Sequence, residues 1–331
     1  MSKIARRGLI ARAGLAVPFL AAPLLARAQG GAPGFPNGPI RLIVPFAPGG
    51  STDLVARLIA TPLAERLGVA VTIDNRAGAG ATVGSIAAMQ ANPDGQTLLM
   101  SNIASQAIAP FLYPGLRYDV MRDFTHIAMV TTNPSVFVAN KDCGIRTMAD
   151  LARIHRASAE GLDMASSGVG SSNHMLIVML GQLLGKTVNH IPFRGAGPAM
   201  TAVIAGQVPM MSDSLPSSAA YLRQGVVNAI GMASPERHPL FPDVPTLREQ
   251  GFDLASTSWF GLSGPAGMHA AVVERLNREV GVILSNPDVQ LRFRELGGTA
   301  QAMQASEFQE FVRREMEKWG PVVRASGARV E

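Results

Sequence analysis

Cysteine is nearly absent from this sequence: Cys143 stands alone among 331 residues. No intrachain disulfide can form, so outside a reducing compartment the fold must rest on its core. Long apolar runs are missing too. The most apolar stretch, Leu15 to Leu25, is too short to hold a chain permanently across a bilayer. No Cys follows it to carry a lipid anchor. His126, His155, His174, His190, His238 and His269 are scattered, without the His, Cys or acid spacing of a metal site. No Gly-x-Ser-x-Gly elbow occurs, and the turn Pro48-Gly-Gly-Ser-Thr-Asp53 lacks the Lys of a phosphate-binding loop. Gly78-Ala-Gly-Ala-Thr-Val-Gly84 imitates a dinucleotide fingerprint. It follows the second expected strand rather than the first, however, and the next strand ends in Ser101-Asn102 with no acid for a ribose hydroxyl. No catalytic residue, metal or cofactor is therefore expected.

A charge excess is also lacking once the first 28 residues are set aside. Lys3, Arg6, Arg7 and Arg12 precede the apolar stretch, and Ala26-Arg27-Ala28 places small residues where signal peptidase reads them. Cleavage is expected before Gln29. Arg6-Arg7 fits both an ordinary signal and a twin-arginine signal. This leader holds five of the 29 Lys and Arg and none of the 24 Asp and Glu, so the mature chain carries 24 of each sign. Nucleic-acid binding, which needs a basic excess, loses its support.

What is present is an alternation of strand and helix signals over about 300 residues, enough for two lobes. Ile40 to Phe46 is an apolar strand, and Leu54, Val55, Leu58, Ile59, Leu63 and Leu67 recur at helical spacing, with a kink expected at Pro62. Strand 69–74, helix 81–91 and strand 97–101 follow. This order implies a parallel sheet covered by helices. A strand-rich run, 124–140, is expected to break at Asn133-Pro134. A second series then gives helices over 148–157, 174–184, 196–206 and 219–224 and strands over 162–166, 187–192, 208–212 and 227–233. Residues 256–263 read as an extended crossing back. Helices 270–285 and 306–325 close the chain, the last with Ser306 and Gln309 as a capping box.

Four polar turns fall at the C-terminal ends of expected strands: 47–53, 101–105, 166–174 and 194–198. Ligands of open parallel sheets bind at that edge. Ser51, Thr52 and Asp53 begin a helix whose unpaired N–H groups point at the turn, so an anion can be held there without Lys or Arg. Ser167 to Asn173 is rich in hydroxyls and free amides and also precedes a helix. Taken singly, each turn is better explained as a turn or helix cap; four at the same edge point to a site. Asp213 ends a strand and either accepts from a ligand or caps the next turn. Trp259-Phe260 walls the cleft or fills the core. Arg194 pairs with substrate or sits on the surface. His174 is a general base only if a nucleophile and an orienting group accompany it, and nothing nominates both; otherwise it packs locally.

Many blocks in order resemble the extracytoplasmic solute-binding receptors of the tripartite tricarboxylate transporter type, the Bug family. They include Pro45-Phe-Ala-Pro-Gly-Gly-Ser-Thr-Asp53, Asp74-Asn-Arg-Ala-Gly-Ala-Gly80, Pro93-Asp-Gly95, Tyr118-Asp119 with Asp123-Phe124, Gly206-Gln-Val208, Phe241-Pro-Asp-Val-Pro-Thr246, Ser258-Trp-Phe-Gly261 and Lys318-Trp319. The resemblance implies an α/β, type II periplasmic-binding-protein fold, with two βαβ lobes joined by crossing strands around a cleft. Lobe 1 would be 29–135 plus 258–331, and lobe 2 would be 136–257. It implies a monomeric, non-enzymatic periplasmic receptor that closes on a small carboxylate and delivers it to permease subunits of a tripartite transporter, or signals to a sensor protein. An exported hydrolase or lyase using His174 and Asp213 is the competing expectation. By position, the ligand set is Phe46, Ala47, Gly49, Ser51, Thr52, Asp53, Asn102, Ser167, Gly170, Ser171, Ser172, His174, Gly195, Ala196 and Asp213. The chain departs from the family at Phe193, where Tyr is frequent, at Ala77, where Pro is frequent, and at Ser212, where Phe is common before the Asp.

Overall fold

The computed structural model describes residues 34–328; the leader and its cleavage position lie outside them. In order, the elements are β1 (Ile40–Val44), α1 (Ser51–Leu67), β2 (Val71–Asn75), α2 (Thr82–Met89), β3 (Thr97–Asn102), α3 (Ala109–Leu112) and β4 (Phe124–Asn140). Next come α4 (Met148–Ala157), β5 (Asp163–Ser166), α5 (Ser172–Leu184), β6 (Asn189–Pro192), α6 (Ala196–Ile204), β7 (Met210–Ser214), α7 (Leu215–Arg223) and β8 (Val227–Met232). The chain returns through β9 (Thr257–Pro265), α8 (Ala270–Ser285), α9 (Pro287–Glu295), β10 (Thr299–Ala300) and α10 (Ala305–Ser326).

Strand order is β2-β1-β3-β9-β4-β7-β5-β6, with β8 and β10 added on β4. The β1–β2 and β1–β3 pairs are parallel, as are β5–β6 and β5–β7. Between these two parallel sets run β4 and β9, antiparallel to each other. Each set is a βα-type unit whose helices cover both faces. Alternation along β4 shows why: Phe137 and Ala139 enter the core under α4 and α5, while Val136 and Val138 enter the one under α6 and α7. Phe137 is fully buried, and truncating such a ring to Ala costs about 3–5 kcal/mol.

Three expectations are corrected. β4 does not break at Asn133-Pro134. Pro134 sits opposite Thr257 where β9 begins, and the next amide, Ser135, donates to the Ser256 carbonyl, so the missing Pro N–H is not needed there. The capping box of α10 is Gln304 with Glu307, not Ser306 with Gln309, because Gln304 is the last extended residue and its amide donates to Glu307 Oε2 at 2.9 Å. Helix α7 starts at Leu215, four residues before the apolar signal, with Pro216 in its first turn where an N–H is dispensable. Helix α9, and a π-type turn over Ala104–Ile108 that leads into α3, carry no clear apolar periodicity and were not foreseen. Helix α1 runs as one element through Pro62.

Candidate functional site

The four polar turns do end strands, namely β1, β3, β5 and β6, and all four reach one small cavity of about 30 Å³. Phe46, Gly50, Ser51 and Thr52 come from the β1–α1 turn, and Asn102, Ile103 and Ala104 from the end of β3. Across from them lie Ser167, Ser171, Ser172, Asn173 and Ala196. Asp213, Ser214, Ser258 and Phe260 close the far side. Space of this size admits a few water-sized groups, so the cleft is nearly shut.

Its polarity comes from backbone and hydroxyls. Helices α1, α5 and α6 all begin at the cavity, and the first-turn amides of a helix have no intrahelical partner. Their dipoles add positive potential from three directions. Among the described residues no Lys or Arg lines the space, and Asp213 is the one charged residue that does. The α5 start is built by Ser171, whose Oγ accepts from the His174 amide at 3.1 Å, after Gly168 and Gly170 turn the chain through positive φ.

The two sides touch. Ala47 N–H donates to the Arg194 carbonyl at 3.1 Å. Ser51 Oγ donates to the Ser214 carbonyl at 3.1 Å, accepts from the Ser217 amide at 3.1 Å and lies 2.7 Å from Ser217 Oγ. Ser217 Oγ in turn donates to Asp213 at 2.7 Å. Gly197 lies so near the first turn that a Cβ there would stand 2.6 Å from the Pro48 carbonyl oxygen.

Asp213 is wholly buried, and burial pushes its carboxyl up to about 6 although Ser218, Ser217 and the Ser214 amide all donate to it. Asp53 is also buried but does not line the cavity. Its carboxylate accepts from Gly49 N–H, Asn75 Nδ2 and Arg57 Nε at 2.9–3.0 Å. Burial alone would raise its pKa, but Arg57, Gly49 and Asn75 together pull it below the usual value. It holds the first turn in shape from beneath.

Phe46, Ser51, Thr52, Asn102, Ser167, Ser171, Ser172, Ala196 and Asp213 are thus brought together. Ala47, Gly49, Asp53, Gly170, His174 and Gly195 stand behind them. His174 Nδ1 accepts from the Gly170 amide at 3.2 Å, and its ring stacks on His190 at 4.0 Å. Burial lowers the His174 pKa to about 4, and burial with its neighbour's charge lowers His190 to about 3. His174 lines a separate groove with Val178, Lys186 and Ser326, so it packs locally. Trp259 is core and donates to Glu315, whereas Phe260 walls the cavity. Gly50, Ile103, Ala104, Asn173, Ser214, Ser258 and Phe260 complete the lining. Asn173 Oδ1 is buried without a hydrogen-bond partner. Ser258 reaches the cavity only through the register of β9 on β4, which no local pattern reveals. Among the described residues no group of three or more His, Cys, Asp or Glu suits a metal, and no helix is long and apolar enough to cross a membrane.

Two parallel α/β halves joined by a crossing antiparallel pair, with the cleft at the strand ends, define the periplasmic binding-protein fold, seen also in the solved "periplasmic binding protein BugD" (29% identity, TM-score 0.86). Residues 55–328 match the family described as tripartite tricarboxylate transporter family receptor, and the chain belongs to it. Protein BugT of Bordetella pertussis is 32% identical over 324 residues, covering 97% of this chain and 96% of that one. MatC from Rhodopseudomonas palustris with bound malate superposes with a TM-score of 0.83 at 35% identity, covering 87% of this chain and all of that one. An R. palustris protein, Rpa4515, with adipate gives 0.86 at 27% identity and covers 89% of this chain. The protein is therefore a solute-binding receptor rather than an enzyme.

Proposed function

We propose that this receptor captures a small organic acid between its two halves and carries it to the permease of a tripartite transporter. The observation that carries this is the convergence of three helix starts on a cavity that has no cationic side chain among the described residues. Amides and hydroxyls so placed hold a carboxylate. The malate and adipate found in similar structures support the same ligand class. The ligand set is the lining named above, with Asp53 and Ser171 shaping the two principal turns.

Closure is the capture step. On this reading one lobe is 29–135 with 258–331, described over 34–135 and 258–328, and the other is 136–257; support comes from β4, which leaves β9 for β7 and β8 near residue 135. A ligand touching both lobes favours the shut form by the contacts it gains only there. Micromolar affinity, about −8 kcal/mol, suffices for scavenging. Residues 1–28 direct export to the periplasm, where the mature chain acts as a monomer. A thermal-shift and calorimetric screen of dicarboxylates, citrate, aromatic acids and amino acids tests this. At least one intact acid is expected to raise the melting temperature and to be recovered unchanged. Absence of binding by every acid contradicts it.

A further inference from the structure

Asp213 lines the cavity from the end of β7 and is wholly buried. Its Oδ2 accepts from Ser217 Oγ at 2.7 Å and from Ser218 Oγ at 2.6 Å, while its Oδ1 accepts from the Ser214 amide at 2.8 Å. Oδ1 thus keeps a lone pair to spare. Asn173, also in the lining, adds a second acceptor, a buried Oδ1 without a hydrogen-bond partner. No cation balances these acceptors: among the described residues every other lining group is uncharged.

The ionisable groups on the surrounding elements are engaged elsewhere. On α1, Asp53 pairs with Arg57. On α5, His174 stacks on His190. Arg194, before α6, lines a separate groove. On α7, Arg223 donates to the Glu295 carbonyl and Tyr221 is exposed. On β4, Val136 stands opposite Asp213, and His126 is bonded to Ser263 and the Val120 carbonyl. On β5, Asp163 is exposed at the far end of the strand. Burial, not a neighbouring charge, is what pushes the Asp213 carboxyl up to about 6.

A cavity of about 30 Å³ leaves a carboxylate inside it no room to stand away from Asp213. Two carboxylates in contact, out of water and without a cation, cannot both stay ionised. We infer that this receptor takes up one solvent proton with each acid it captures, and that the acid and Asp213 share that proton in an O–H···O⁻ hydrogen bond. This rests on the carboxylate-receptor proposal above. One carboxylate of the acid, the Asp213 carboxylate and one proton combine into a pair with a single negative charge, and no other bond changes. Such a charged hydrogen bond is among the strong ones. Ser217 joins Asp213 to Ser51 of the opposite half, so the proton sits where the halves meet. Above the range in which Asp213 titrates, the proton must be drawn from solvent, so capture weakens as pH rises; below that range the proton is already in place.

Calorimetry on the mature chain near pH 7.5, repeated in buffers of different ionisation enthalpy, counts the protons directly. Malate, adipate and benzoate serve as probes because their own carboxyls are ionised there. Each acid that binds is expected to bring about one proton with it, and its affinity to fall about tenfold per pH unit between pH 7 and 8. Asp213→Asn should abolish both the uptake and the pH dependence. A second readout needs no substitution: with labelled carboxyl carbons, the Asp213 resonance should move toward its protonated position when the acid is added near pH 7.5. Binding without proton uptake, uptake that persists in Asp213→Asn, or an unmoved Asp213 resonance overturns the inference and leaves the receptor proposal standing. If none of the three acids binds, both fall.

Discussion

Two buried aspartates close the ends of the β1–α1 and β7–α7 connections, and they behave in opposite ways. Asp53 has a guanidinium, an amide and a side-chain amide around it, and stays ionised below the usual carboxylate range. Asp213 has two hydroxyls and one amide but no cation, and burial lifts it to about 6. The hydrogen-bond counts are equal. Deeper burial of Asp213, together with the guanidinium that only Asp53 has, decides which carboxylate remains charged. The first stiffens a turn from below; the second faces the cavity and, through Ser217, touches Ser51 of the opposite half. One serves structure, and the other links the site to closure.

The sharpest separation of the two is stability against pH. Asp213 is protonated more readily when folded than when unfolded, so the native state holds the extra proton between about pH 4 and 6. Its contribution to stability therefore falls as pH rises through that window, by about 3 kcal/mol for a shift of two units. Asp53 has the opposite sign: its contribution is present above the ordinary carboxylate value and is lost as pH falls through its lowered folded value. Denaturant melts from pH 3 to 7 should show the upper slope vanish in Asp213→Asn and the lower slope flatten in Asp53→Asn. An unchanged upper slope in the first variant would break the contrast.

Closure is tested next. Gly197→Ala suits a helix, so the unliganded protein should melt at the same temperature or slightly higher. Its Cβ would nevertheless collide with the Pro48 carbonyl in the shut form. Carboxylate affinity is expected to fall tenfold to a hundredfold, about 1.4–3 kcal/mol, measured by calorimetry. Retained affinity would mean that the turn around Asp53 need not dock on α6.

Asp53→Asn should then destabilise the fold by about 2 kcal/mol at pH 7, because charged hydrogen bonds are weakened while the exposed partner Arg57 adds little. The smallest effect is expected for Ser171→Ala. Losing the N-cap of α5 costs about 1 kcal/mol, read as a small drop in melting temperature together with weaker carboxylate binding.

Much of this site was legible because its signals are local. Apolar strands running into Gly, Ser and Asp before a helix mark residues 46–53 and 166–174, and the rule that parallel sheets bind at strand ends brings the turns together. The resemblance to a receptor family supplied the two-lobed frame. Asp53 was legible only in part. Its helix-start position is local, but its true partners include Asn75, which β2 brings alongside β1. Ser258 and Phe260 depend on how β9 pairs with β4, including two register shifts, and no short-range pattern encodes that. Pro134 misled for the same reason: its place at the point where β4 changes partners makes its missing N–H harmless.

The central claim is that amides from both halves close together on one acid group. Titrating isotopically labelled mature chain with a bound dicarboxylate, and following the amide resonances of Thr52, Ser172 and Ala196, tests it most directly. All three should shift along a single binding curve with one dissociation constant. Shifts confined to Thr52, or to Ser172 and Ala196 alone, would place the acid on one half of the molecule and contradict the account.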